Sequence, residues 1–487
     1  MIDRTLQFFL QGIPAGRRAR AMLLLLAATA AVSSAQKFKT LASFEGESGD
    51  QPYYETLTQG ADGNLYGTTI FGGGGSGNVF RLTPTGSLNS INDFPGLAPY
   101  PGGPETGLVL GSDGNLYGVA DGGAYDMGIV YKVNYGGVVT PIYSFCAATN
   151  SNGYCADGYL PIGQLILGTD GDFYGTTHFG GDNNDGTIFK LTPKGVLTTL
   201  YSFCAQANCA DGANPNSGLV QATDGNFYGT TYFGGPGGFS GTVYKITPKG
   251  VFTLLYGFCS ESFCTDGQKP NAPLIQAGNG DFYGTASQGG ANSSGTVFKI
   301  TPAGKLTTLY SFCVLKLCAD GEGPMGALVQ ATDGNFYGTT SEGGPGFVGT
   351  VFKLTLGGKL TVLHGFSGPD GNSPFGGLLQ ATNGTFYGTT NIGGDSSFGV
   401  TFSESVGLGP FVKTVPVAAR AGANVIILGT NLTGASSVTF NGVDATITEV
   451  KRSEIKVTVP TGATTGTVQV ITPGGTLSSN VAFRVLP

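Results

Sequence analysis

Residues 217–258 read SGLVQATDGNFYGTTYFGGPGGFSGTVYKITPKGVFTLLYGF and divide into four pieces of one kind: SGLVQAT, NFYGTTYFGG, GTVYKITP and VFTLLYGF. Each piece is β-branched or aromatic, or alternates in polarity, and each is bounded by turn residues. Thr-Asp-Gly-Asn stands between the first two pieces and Thr-Pro-Lys-Gly between the last two. Both connections are short enough for hairpins, with glycine supplying the positive φ such turns need. The stretch therefore predicts four antiparallel strands.

The same four pieces recur along the chain. A Tyr-Gly-Thr/Val core, usually preceded by Asp-Gly-Asn or a variant, appears seven times, at Tyr66, Tyr117, Tyr174, Tyr228, Tyr283, Tyr337 and Tyr387. Seven repeats of about 54 residues, four strands each, is the pattern of propeller blades. The predicted fold class is all-β: a seven-bladed β-propeller over 36–407, followed by an immunoglobulin-like β-sandwich over 408–487. A fourth-strand sequence, FKTLASF at 38–44, precedes any complete repeat, and the seventh repeat stops after its third strand near GVTFSESV at 399–406. The N-terminal strand is thus expected to complete the last blade and close the ring, which removes the exposed edges of an open array. The long connection after Ser-Phe is read as the link from one blade's outer strand to the next blade's inner strand. That phase puts the post-Ser-Phe loops and the Gly-rich loops after Tyr-Gly-Thr-Thr on one face, the expected binding surface.

These motifs resemble the GloVer tandem repeat of exported bacterial proteins (choice-of-anchor type), through LVQATDGNFYGTT, GTVFKLTPKG-like and LTTLYSF segments in all seven copies over roughly 38–405. The resemblance implies an extracellular protein with no assigned chemistry. The chain departs from many such relatives in having no obvious C-terminal sorting tail.

Composition agrees with many short strands. Gly is 85 of 487 residues, charged residues are 11%, hydrophobic residues 40%, and Trp is absent; disorder would require higher charge and lower hydrophobicity. Residues 36–407 carry a net charge of −13 and residues 408–487 a net of +3. An acidic body lacks the clustered Lys and Arg that hold phosphate backbones, so no nucleic-acid partner is expected. Arg17, Arg18 and Arg20 precede the apolar run AMLLLLAATAAV at 21–32, and Ser33-Ser34-Ala35 follows. This predicts a signal peptide cleaved near Ala35 and a secreted, cell-surface or periplasmic location. No transmembrane segment is expected in the mature chain.

The last 80 residues change texture. NVIILGTNL, SSVTFNG, ATITEV, EIKVTVP, GTVQVITPGG and VAFRVL read as short strands, with Asn441-Gly442 as a hairpin turn. They look like an IPT/TIG immunoglobulin-like domain, carried by Gly429-Thr430-Asn431-Leu432, Val438-Thr439-Phe440-Asn441-Gly442, Val459-Pro460 and Pro473-Gly474-Gly475.

Eight cysteines form four close pairs just after the Ser-Phe strand ends: Cys146/Cys155, Cys204/Cys209, Cys259/Cys264 and Cys313/Cys318. Structural disulfides are the expectation, with zinc or free thiols as alternatives; Cys-x4-Cys is looser than usual zinc spacing. Each loop must then double back, because a disulfide needs Cα atoms within about 7 Å. The aspartates after the second cysteine (Asp157, Asp211, Asp266, Asp320, with Asp370 equivalent) are read as turn residues rather than calcium ligands, since one carboxylate per loop falls short of six to eight oxygens. The repeated Tyr residues are read as packing between blades. Less regular aromatics in the Gly-rich loops, Phe179, Tyr232, Phe233, Phe239 and Phe347, together with His178, are the candidate ligand-face residues. No nucleophile–base pair, metal site or cofactor motif stands out. The expected function is non-catalytic binding or adhesion toward an extracellular glycan or protein. A polysaccharide lyase or hydrolase on the same scaffold, or a purely structural envelope component, are the alternatives, and oligomeric state is left open.

Overall fold

The computed structural model describes residues 36–53, 56–73, 75–95 and 103–487. The expected signal peptide and part of the loop at 94–104 lie outside the described residues. The repeat region folds into four-stranded antiparallel sheets, seven among the described residues, each strand neighbouring the next in sequence. The fourth repeat is representative: Val220–Gln221, Phe227–Thr231, Thr242–Ile246 and Phe252–Gly257. The second and third strands are buried throughout their length apart from one lysine, while the fourth is half-buried with Thr253 exposed. The first strands of neighbouring sheets approach one another, which makes them the inner strands of propeller-like blades.

The seventh sheet is completed from the other end of the chain. Lys37–Ser43 pairs with Val400–Ser405, with Phe38 opposite Glu404 and Ser43 opposite Val400. Leu360–Gly365 sits on Thr350–Leu354 in the same register, with Leu360 opposite Leu354, and both pairings shift at the same point, opposite Phe402 and Phe352. Residues 37–43 thus take the role of a fourth strand in detail.

Aromatic rings lock sheet to sheet. The phenylalanine that ends each fourth strand meets the third-strand ring of the next repeat edge-on: Phe203 with Tyr244 at 5.2 Å, Phe312 with Phe352 at 5.3 Å, Phe366 with Phe402 at 5.3 Å. Phe44, from the N-terminal strand, meets Phe80 of the first repeat at 5.2 Å in the same way. The repeated tyrosines are buried between sheets, Tyr174 against Phe227 and Tyr228 against Phe282, each at 4.0 Å. Offset and edge-on contacts of this kind contribute about 0.5–1.5 kcal/mol each beyond burial.

Each tyrosine hydroxyl also serves the preceding turn. Tyr66, Tyr117, Tyr174, Tyr228 and Tyr337 donate to the aspartate four residues earlier at 2.7–2.9 Å. In two repeats asparagine takes over, donating from Asn279 to the Tyr283 hydroxyl and from Asn383 to that of Tyr387. The Asp-Gly-Asn signature is therefore a hydrogen-bonded turn tied to the buried tyrosine.

The C-terminal residues form a β-sandwich. One sheet joins Lys413–Val415, Asn424–Leu428, Glu454–Thr458 and Thr446–Val450; the other joins Val443–Asp444, Ser437–Phe440, Val468–Thr472 and Gly475–Ser478. Val425, Ile427, Phe440, Ile455, Val457, Val470 and Phe483 fill the space between them. Asn441 and Gly442 adopt φ of 48° and 85° and join strands in which Phe440 faces Val443, the two-residue hairpin the sequence predicts.

This sandwich rests on the Asp-Gly-Asn turns. Ser453 donates to the Ala61 carbonyl at 2.8 Å, Thr430 meets Thr382 at 3.0 Å, and Arg484 donates to the Ala222 carbonyl at 2.9 Å. Lys413 donates to the Gln380 carbonyl. Ile426 and Leu428 enter the same core as Ala61, Tyr66 and Leu110. The domain thus touches the first, fourth and seventh repeats at once.

Candidate functional site

The face opposite the sandwich carries the long loops. In the loops after the fourth strands of the second to fifth repeats, a buried aspartate (Asp157, Asp211, Asp266 or Asp320) organises the turn. Asp211 accepts from the Tyr201 hydroxyl at 2.8 Å and from the amides of Ala205 and Gln206 at 3.0 and 3.1 Å. Asp320 repeats this with Tyr310, Val314 and Leu315. In the sixth repeat His364 replaces the tyrosine, with Nε2 2.8 Å from Asp370. These carboxylates are occupied by structural donors, which supports the turn reading.

The cysteines pair as Cys146–Cys155, Cys204–Cys209, Cys259–Cys264 and Cys313–Cys318. Their Cα atoms lie 4.0–4.6 Å apart, and the first cysteine of each pair has φ of 57–66°, which folds the loop back on itself. Asp185 lies beside Cys204 and Cys209, but both sulfurs are in a disulfide and offer no thiolate to a metal.

Beyond the disulfide, every repeat has a proline at one structural position: Pro52, Pro104, Pro161, Pro215, Pro270, Pro324 and Pro374. The residue before it is left-handed in six of the seven among the described residues, with φ of 52–62° at Gln51, Leu160, Asn214, Lys269, Gly323 and Ser373. Its amide donates to the preceding repeat's Gly-rich loop, Lys269 to the Ser240 carbonyl at 2.9 Å and Gln51 to the Phe398 carbonyl at 3.1 Å. Its carbonyl accepts from the loop of its own repeat, as Lys269 does from Ser287.

The residue after each proline is thereby held at the inner end of the loops. In order these are Tyr53, Glu105, Ile162, Asn216, Asn271, Met325 and Phe375. Ile162, Asn216, Asn271, Met325 and Phe375 line one narrow depression of about 30 Å³, together with Thr56, Thr106 and Gln164. Tyr53 packs edge-on against Phe375 at 5.1 Å. The lining changes character around its circumference: Met325 and Phe375 form an apolar arc, and Asn216 and Asn271, joined by a 3.2 Å hydrogen bond, form a polar one. Burial and then the charge of Asp121 push the Glu105 carboxyl up to about 7, while burial and Asp126 push Asp121 to about 6.

The candidate aromatics fall into two groups. Tyr232 and Phe233 are half-buried, and Lys269 Nζ lies 5.5 Å and 5.9 Å from their ring centroids. Burial and then the Tyr53 phenol raise the Tyr232 pKa. Phe179 is half-buried against Tyr159 at 5.4 Å, and His178 stands edge-on to Phe179 at 4.2 Å. Burial holds the His178 imidazole below its ordinary pKa, so it is neutral at pH 7. Phe239 and Phe347 are exposed, at 80% and 59%. Sequence reading passed over Phe263, 95% exposed at the crown of the Cys259–Cys264 loop, and Val314, Leu315 and Leu317, exposed on the Cys313–Cys318 loop. Four or eight residues between paired cysteines were the available signal, since so small a loop has no interior in which to hide an apolar side chain.

The sequence profile of the Gloeobacter/Verrucomicrobia repeat matches residues 30–221, 74–276, 152–328 and 217–445 in overlapping copies. The chain belongs to this repeat family. In this Gloeobacter/Verrucomicrobia repeat protein, residues 412–485 match the IPT/TIG domain. Among solved structures it is similar to a protein of unknown function from Bacteroides thetaiotaomicron, at 14% identity over 76% of each chain and a TM-score of 0.40. It is also similar to a GH74 xyloglucanase from Xanthomonas campestris, at 13% identity over 81% of this chain and 60% of that one, with a TM-score of 0.41. An auxiliary nutrient binding protein from Bacteroides ovatus matches at 14% identity over 71% and 83%, with a TM-score of 0.36. Likenesses this remote lend nothing to the assignment of function. Comparison with curated proteins finds no match.

Proposed function

We propose that this protein is an exported binding or adhesion protein whose seven sheets form one closed propeller over 36–407, with the IPT/TIG domain at 408–487 docked on the turn face. The long-loop face takes an extracellular glycan or protein ligand. The observation that carries this reading is the convergence of post-proline residues from successive repeats on one depression, while Phe239, Phe263 and Phe347 stand exposed on the long and Gly-rich loops. Closure is supported by the N-terminal strand's fourth-strand register and by Phe44 on Phe80. Four disulfides support export, because such bonds persist in oxidising compartments. Among the described residues no helix is long and apolar enough to cross a membrane.

A glycan array with the mature protein, run beside assays for released reducing or unsaturated ends, tests the reading. Retention without turnover, weakened by Tyr232→Ala or Phe239→Ala, is the expected result; turnover of any polymer rejects it. One observation favours the enzymatic alternative. Glu105 and Asp121 are neighbouring carboxyls with pKa values of about 7 and about 6, suited to proton transfer.

A further inference from the structure

We infer that loop tips of the fourth to sixth repeats insert into the headgroup region of a zwitterionic lipid bilayer and hold the protein on a membrane surface. This attachment goes beyond the ligand reading above and does not depend on it.

Six large apolar side chains stand in water on these loops: Phe239, Phe263, Val314, Leu315, Leu317 and Phe347, each 53–95% exposed. Backbone contacts join their loops into one belt. The Phe239 loop lies against the start of the Cys259–Cys264 loop that carries Phe263, so that a Cβ on Gly237 would sit 2.9 Å from the Phe258 carbonyl oxygen. The Gly290 amide donates to the Cys264 carbonyl at 2.9 Å, and Asn292 of the same loop donates to the Phe312 carbonyl at 2.9 Å, next to Cys313. The Gly344 amide donates to the Cys318 carbonyl at 2.8 Å, and the Phe347 amide to the Gly344 carbonyl at 3.1 Å. Single apolar residues scattered over a surface are ordinary; a connected series marks an interaction site.

Folding does not require these side chains. The Cys204–Cys209 loop closes the same span with Ala205, Gln206, Ala207 and Asn208. In all three Cys-x4-Cys loops the residue before the second cysteine is left-handed, with φ of 59° at Asn208, Phe263 and Leu317. Asparagine tolerates that conformation, whereas a bulky residue adopts it only at a cost. Phe263 and Leu317 therefore keep an unfavourable backbone and expose an apolar side chain at the crown of a loop. What they gain lies outside the chain's own fold.

Charge and chemistry select lipid as the partner. Residues 235–241, 259–264, 290–295, 313–318 and 343–349 contain one acidic residue, Glu261, and one basic residue, Lys316. Bringing these loops to an interface strips water from almost no charge, and one charge of each sign suits a headgroup that carries both phosphate and ammonium. An anionic surface would repel the body of the protein, whose net charge over 36–407 is −13. Valine and leucine offer glycan hydroxyls no hydrogen bond, but aliphatic and aromatic side chains alike partition into the boundary between headgroups and acyl chains. A soft interface also takes each crown separately, where a protein partner would need a matching recess for every one.

The test is flotation of the full mature chain with phosphatidylcholine vesicles at low and high salt. Uptake should change little with salt. Phe263→Asn and Leu317→Asn, which copy the residue type of the Cys204–Cys209 loop, should leave the fold intact, weaken partitioning about tenfold each, and together abolish it. Because the chain has no Trp, Phe263→Trp supplies a lone reporter. Its emission should move to shorter wavelength on adding vesicles, while that of Val251→Trp on the opposite face should not. Absence of flotation, flotation that survives in the double Asn variant, or uptake confined to anionic vesicles at low salt overturns the inference. Self-association lost in the double variant, or capture of a soluble protein, with no vesicle uptake assigns the belt to a protein partner and overturns it too. Glycan retention without flotation rejects membrane attachment and leaves the ligand reading standing. Flotation with retention of neither glycan nor protein does the reverse.

Discussion

The side chains of Gln59 and Thr382 bond reciprocally across 323 residues of sequence: Gln59 Nε2 donates to Thr382 Oγ1 at 2.9 Å, and the Thr382 amide donates to Gln59 Oε1 at 3.0 Å. The same link joins consecutive repeats, from the Thr169 amide to Gln221, Thr223 to Gln276, Gly278 to Gln330 and Thr332 to Gln380, at 2.8–3.2 Å. The inner-strand glutamine of each of these repeats thus holds the turn of the repeat before it, and the first repeat holds the seventh.

Replacing that glutamine should therefore be equally damaging inside the array and at its junction. Gln59→Ala and Gln276→Ala should each destabilise the protein by about 1–2 kcal/mol, read as matching drops in denaturation midpoint. If only Gln276→Ala shows a loss, the junction is not formed.

The seventh sheet also contains an irregularity. Glu404 lies opposite Phe386, the register position held by Leu354 opposite Phe336 in the sixth repeat, and it is fully buried. Burial pushes its carboxyl up to about 7. A raised folded pKa means that the native state holds its proton where the unfolded chain releases it, so stability is complete below about pH 4.5 and falls as pH rises through 7. Glu404→Leu should raise stability at pH 7.5 by roughly 2 kcal/mol and flatten the decline in melting temperature between pH 5 and 7.5. An unchanged slope contradicts this role.

Disulfide loops and their aspartates should separate in effect. A denaturing, non-reducing thiol titration should find no free thiol. Opening one short loop, as in Cys204→Ser with Cys209→Ser, should remove about 2 kcal/mol. Asp211→Ala should cost at least as much, because it leaves the half-buried Tyr201 hydroxyl and two amides without their acceptor. Eight free thiols, or an Asp211→Ala protein as stable as the parent, would reject the assignment.

Docking of the sandwich domain should be felt by the repeats. Ile426 is shared with the core around Ala61 and Tyr66. Ile426→Asp should lower the melting of the repeat region and split the thermal transition in two. A single, unshifted transition would show that the domain is only a spacer.

Much of this was written in the sequence because it repeats. The repeated tyrosines, the Asp-Gly-Asn turns, the strand phase and the FKTLASF strand all recur at fixed offsets, so seven weak signals add. The post-proline positions do not share a residue type: Tyr53, Glu105, Ile162, Asn216, Asn271, Met325 and Phe375 have only the preceding proline in common. Their convergence is set by the left-handed residue before that proline, which composition does not reveal. Glu404 was hidden for the opposite reason, since TFSESV still alternates like a strand while placing a carboxyl in the core. Contact between the sandwich and the turn face depends on single residues such as Ser453 and Arg484, which carry no periodicity.

Every functional statement above depends on closure, because post-proline residues from opposite ends of the chain share one mouth only in a ring. The equivalent tight turns hold Thr85 in the first repeat, Lys249 in the fourth and Leu356 in the sixth. Spin labels at Thr85→Cys with Leu356→Cys, and at Lys249→Cys with Leu356→Cys, can be compared by pulsed electron resonance. In a closed seven-membered ring both pairs lie two repeats apart, and their distance distributions should coincide. In an open array the first pair lies five repeats apart, and a much longer Thr85–Leu356 distance would contradict the account.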